Sequence, residues 1–188
     1  FAQGKQPRCE IVVGSAGDVE VEHAATVLRN AVAEIIGAEL PIVDHPSETM
    51  PARVEIGTLP KSPEIATTLE ENGILAISGD IDLVRSSTAS THVFFPDDLG
   101  DQGFVVFKPS DAGWQQRLLI TANTAQGCEY AAYSLADRLY LERGGLIVDQ
   151  LHTRHMPVVN IPAFEFRGVA TNISGPDWLG YNQWEKEW

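Results

Sequence analysis

The chain has 188 residues, 44% hydrophobic and 21% charged, with a formal net charge of −13 from 13 Lys+Arg against 26 Asp+Glu. That length fits one domain, with or without a fragment of a second, and cannot hold a domain followed by a complete (β/α)₈ barrel of about 250 residues. The acids are spread along the chain, which disfavours nucleic acid and anionic membranes as partners, and no apolar run approaches the roughly 18 residues of a membrane span.

Residues 9–13 (Cys-Glu-Ile-Val-Val) form a short β-rich run closed by Gly14 and read as the first strand. A helix is predicted from Val19 or His23 to Ile36. Leu28, Val32 and Ile35/Ile36 recur at spacings of three and four with alanines between them, which gives one apolar face. Gly37 supplies its stop and Pro41 prevents resumption. Short strands are predicted at 40–44 and 53–57. Ser62-Pro63-Glu64 has the form of an N-cap, a first-turn proline and an acid, and opens a short helix to Glu71. Residues 74–85 alternate around Gly79-Asp80 as a hairpin would, and 86–101 read as an exposed polar loop. Residues 103–108 and 117–122 are strands joined by a turn that contains Pro109, Asp111 and Gly113. Asn123 or Thr124 caps a second helix, predicted to run to Glu142 on a stripe of Cys128, Ala131/Ala132, Leu135 and Leu139 and to stop at Gly144-Gly145. Residues 146–148 and 158–161 are extended. Short turns between neighbouring strands favour antiparallel pairing, and the β-α-β opening permits one parallel pair. The expected fold is α+β: a mixed, largely antiparallel β-sheet with two main amphipathic helices packed on it.

Chemical motifs are sparse. Gly14 and Gly17 supply two of the three glycines of a dinucleotide fingerprint, and the plain reading is a strand-to-helix turn; a small nucleotide-binding enzyme would need a better phosphate cradle. His152 and His155 form an HxxH pair, but in a loop beside Arg154, and read as exposed histidines rather than metal ligands. Adjacent acids such as Asp97-Asp98 and Glu70-Glu71 read as solvated surface. Cys9 and Cys128 cannot build a disulfide framework; one bridge is open to them, and the plain reading is two buried thiols. No metal or cofactor is expected. The chain starts Phe1-Ala2-Gln3 without Met, which leaves open whether a secretory signal precedes it. Near the other end, residues 164–170 alternate apolar side chains with Glu165 and Arg167 in strand style. Trp178, Tyr181, Trp184 and Trp188 follow, rings able to stack on sugars or to pack against a following domain.

Five passages, taken in order, resemble the non-catalytic N-terminal domain of β-N-acetylhexosaminidases and microbial α-glucuronidases. They are Ile35-Ile36-Gly37-Ala38-Glu39-Leu40-Pro41-Ile42, the strand at 53–57 (Arg-Val-Glu-Ile-Gly), and Gln102-Gly103-Phe104-Val105-Val106. The fourth is 118–122 (Leu-Leu-Ile-Thr-Ala) with Gly127-Cys128-Glu129-Tyr130-Ala131, and the fifth is 161–168 (Ile-Pro-Ala-Phe-Glu-Phe-Arg-Gly). The last is similar to the junction that opens the first strand of the catalytic barrel, although no proline stands directly before Phe164, and Ala170-Thr171-Asn172 replace the acid that often follows Arg-Gly.

The resemblance implies an accessory domain over residues 1–161, and over 162–188 a linker with the first strand and loop of a truncated barrel. It implies a secreted or periplasmic glycoside hydrolase whose catalytic carboxylates lie on later strands, so no glycosidase activity is expected of this chain alone. Its partner would be the C-terminal catalytic barrel of the same polypeptide. By position, Arg167 would reach a sugar hydroxyl, with a salt bridge at the junction as the plain alternative. A rival reading is a carbohydrate-binding module that takes an oligosaccharide on Trp178, Tyr181 and Trp184.

Overall fold

The structure is a computed structural model that describes residues 2–3, 5–14, 19–75, 96–109, 116–142, 145–148 and 158–160. Cys9–Val13 forms β3, rich in the β-branched residues that fit a pleated surface. Helix α1 (Val19–Ile36) follows. It buries Val21, Ala24, Ala25, Leu28 and Val32, and carries Glu20 and Glu22 in its first turn, where the helix dipole favours acids. Gly37 ends it with φ +67°, its N–H donating to the Ala33 carbonyl. Strands β4 (Ile42–Val43) and β5 (Ala52–Thr58) lead to α2 (Pro63–Glu71) and the single-turn α3 (Pro96–Leu99). Then come β6 (Phe104–Phe107), β7 (Gln116–Ala122), α4 (Ala125–Ala136), β8 (Leu139–Glu142), β9 (Gly145–Val148) and β10 (Val158–Asn160). Two two-residue strands, β1 (Ala2–Gln3) and β2 (Gln6–Pro7), precede them all.

The main sheet runs β10-β6-β7-β5-β3-β4. The expected α+β class holds, but "largely antiparallel" overstates it. Among the described residues of this sheet β3 pairs parallel with both β4 and β5, and β5 pairs parallel with β7; only β6–β7 and β6–β10 are antiparallel in it. The cause is connectivity. The predicted β6–β7 hairpin forms, and its second strand inserts beside β5, so β5 and β7 point the same way. A second, antiparallel sheet runs β2-β1-β9-β8.

Alternation sorts the strand side chains onto two faces. Ile11, Val13, Val54, Ile56, Phe104, Val106, Ile120 and Ala122 meet α1 and α4 in one core. Val105, Phe107 and Leu119 point the other way and meet Ile65 and Leu69 of α2 and Leu99 of α3. Helices therefore cover both faces rather than one. Close approach is secured by glycine: a Cβ on Gly127 would stand 2.5 Å from Ala122 Cβ and 2.6 Å from the Gly103 carbonyl, so the first turn of α4 can lie directly on the sheet.

Two further expectations change. The second main helix ends at Ala136, not Glu142. Residues 139–142 leave the helical stripe because their backbone pairs with β9, a tertiary demand that overrides helix periodicity. The loop predicted to end at Asp101 contains α3, whose Leu99 is fully buried. The hairpin around Gly79-Asp80 and the HxxH pair lie outside the described residues, and both cysteines are buried thiols not joined in a disulfide.

Candidate functional site

The second face of the sheet is divided. Over β6 and the middle of β7 it is apolar and covered by α2 and α3. Over β3, β5 and the start of β7 it is charged. The register sets Glu10, Arg53 and Arg117 side by side across three parallel strands, with Glu55 one step further along β5 on the same face. Both guanidinium groups converge on one carboxylate. Arg117 donates from Nε to Glu55 Oε1 at 2.9 Å and from Nη2 to Oε2 at 3.0 Å, a bidentate fork, and Arg53 Nε donates to Oε1 at 2.5 Å. The three side chains are only 13–19% exposed, so these pairs are shielded far more than ordinary surface ion pairs. Glu10 is 1% exposed, and its Oε1 accepts the Ser47 N–H at 2.7 Å, which ties the segment after β4 to the sheet.

Above this network lies a cavity of about 270 Å³. Its floor is Arg53, Glu55 and Arg117. Its walls are residues 12–14 at the end of β3, 44–46 beyond β4, and 62–65 at the start of α2. Ser62 takes the N-cap position of α2 as expected, yet its side chain makes no capping bond. Its hydroxyl instead faces Gly14 and Gly57, where a Cβ on either glycine would crowd it. Gly14 therefore contributes to a cavity wall, and Gly17 lies outside the described residues.

The cavity has a definite place in the topology. From β3 the chain passes through α1 on one face to β4; from β5 it passes through α2 on the other face towards β6. Strand order reverses between β3 and β5, and the cavity lies over the sheet face beside this reversal, from Arg53 and Arg117 near the amino ends of β5 and β7 to residues 12–14 and 62–65 at or beyond the carboxyl ends of β3 and β5. A broader, shallower hollow lies where α1 and α4 begin; it is lined by acids and by His23, whose Nε2 is 3.3 Å from Glu129 Oε1. Among the described residues there is no group of three metal-ligating side chains, and no helix is long and apolar enough to cross a membrane.

Arg167, Trp178, Tyr181 and Trp184 lie outside the described residues. The charged network belongs to no motif. In sequence, Arg53 and Glu55 alternate with Val54 and Ile56, which by itself describes any half-solvated strand; only the parallel neighbours bring the charges together.

No family model and no curated protein matches the chain. Solved structures do. One is BtGH115A, a family GH115 4-O-methyl-α-glucuronidase with specificity for decorated arabinogalactans: 14% identity, 73% of this chain and 14% of that one covered, TM-score 0.42. Another is the GH20 β-N-acetylhexosaminidase of Streptomyces coelicolor, with 14% identity, 78% and 22% coverage and TM-score 0.41. A third is CpGH84B, with 16% identity, 79% and 19% coverage and TM-score 0.39. These matched structures are glycoside hydrolases, and this chain spans 14–22% of their length.

Proposed function

We propose that this chain is an accessory, non-catalytic domain of a secreted or periplasmic glycoside hydrolase, and that it supports a catalytic barrel following it in the same polypeptide. The observation that carries the reading is what the resembling passages do in this fold. Gly37 closes α1, Gly57 admits Ser62, Gly103 lets the backbone of Leu99 and Asn160 approach it, and Gly127 lets α4 settle on the sheet. The apolar residues beside them, Leu40, Ile56, Phe104, Ile120 and Ala131, are core. The four passages within the described residues thus encode framework, as expected where an ordered set of motifs marks a scaffold rather than a reaction centre. On this reading residues 162–188 begin the barrel and Arg167 faces its sugar site.

The test has two parts. The chain alone is expected to release no chromophore from aryl glycosides; turnover that a substitution within it abolishes would overturn the proposal. The coding region beyond Trp188 is expected to continue through roughly 250 residues of βα repeats, and a stop codon there would equally sink it.

A further inference from the structure

We propose that the cavity above Arg53, Glu55 and Arg117 is a binding site for one small, neutral, polyhydroxylated molecule the size of a single sugar ring. This goes beyond the accessory-domain reading and does not depend on it.

Stability alone does not account for the charges. A sheet face covered by helices is normally apolar, as the neighbouring half of this same face is with Val105, Phe107 and Leu119. Replacing a shielded ion network by apolar residues of similar volume is often neutral or stabilising. The sheet instead keeps two guanidinium groups and the Glu55 carboxylate there and leaves space above them. That space sits at the reversal of strand order, and its volume of about 270 Å³ is close to the lower end, about 300 Å³, of small-molecule sites.

The lining selects the ligand. The floor carries the cations Arg53 and Arg117 with Glu55 between them, and the exposed rim carries Asp44 and Glu64. A phosphate or other compact anion would meet Asp44, Glu55 and Glu64 as well as the guanidiniums, and a cation would meet both guanidiniums. A neutral molecule with several hydroxyls escapes both penalties, because each hydroxyl can donate to a carboxylate or accept from an arginine. Apolar C–H faces of its ring would rest on Val12, Pro63 and Ile65.

The experiment uses the full 188-residue chain with glucose, mannose and N-acetylglucosamine as probes, and inorganic phosphate and glycine as controls. Binding is read by saturation-transfer NMR and by calorimetry. The expected result is saturable binding of at least one sugar and of neither control. Asp44→Asn combined with Glu64→Gln, both exposed positions, should weaken it about tenfold, the loss of about 1.4 kcal/mol of contacts, with an unchanged melting midpoint. Trp178→Ala should leave it unchanged. The proposal fails if no sugar binds, if phosphate or glycine binds instead, if the rim variant binds like the parent, or if Trp178→Ala abolishes binding.

Discussion

Glu55 shows how much one side chain can organise. It takes both the Arg117 fork and Arg53 Nε, so Glu55→Ala would leave two cations facing each other on a shielded sheet face. The expected cost is about 2–3 kcal/mol, below the roughly 3–5 kcal/mol of a fully buried pair because the network keeps some solvent contact. Urea denaturation measures it, and a loss under about 1 kcal/mol would mean that the network behaves as surface charge. Cys9 offers a residue-scale effect of pH. Burial raises its thiol from the ordinary 9.0 to about 12. The folded chain therefore holds this proton more tightly than the unfolded one. The contribution is complete below pH 9.0 and is lost progressively as pH rises towards about 12. Stability should fall across that window, and Cys9→Ala should flatten the fall. Because the thiolate is the reactive form, native Cys9 should also resist alkylation until the chain is unfolded.

At the scale of elements, α4 depends on its first turn. Thr124 Oγ1 accepts the Gly127 N–H at 3.2 Å and donates to the Asp101 carbonyl, so it caps the helix and pins it to the segment before β6. Thr124→Ala should cost about 1–2 kcal/mol by urea denaturation, towards the upper end for a cap because two bonds are lost; Thr124→Ser should recover most of it. This cap was legible in the sequence, as were α1 with its Gly37 stop, α2 behind Ser62-Pro63, and strands β3, β5, β6 and β7. Each is announced locally, by periodicity or by a residue with special backbone needs. What depends on partners distant in sequence was not legible. Alternation in Arg53-Val54-Glu55-Ile56 marks a strand but says nothing of whether its neighbours run parallel. It therefore hid both the parallel core and the charged cavity that the core creates. Leu139 fits the helical stripe of α4, and only pairing with β9 assigns it to a strand. The two-residue strands β1 and β2 are too short to carry a pattern at all.

At the scale of the whole molecule, among the described residues two helices on one sheet face and two on the other enclose two apolar cores, with the charged cavity beside the smaller one. The apolar strand and helix residues belong to the cores; the two arginines and Glu55 belong to the cavity floor. The strand at 53–57 serves both, since Val54 and Ile56 face the larger core while Arg53 and Glu55 floor the cavity. The parallel pairing of β5 with β7 also bears on how the molecule forms on the ribosome. Gly57 and Thr121, partners in that register, are 64 residues apart. At synthesis rates of about 5–20 residues per second, Arg53 and Glu55 emerge roughly 3–13 s before the strand that supplies Arg117. During that interval β5 has one open edge and Glu55 lacks its forked partner, so the cavity floor is among the last parts of the sheet to close. A chaperone that shields a nascent strand edge would find its target here, in a window timed by translation rather than by the stability of the finished fold.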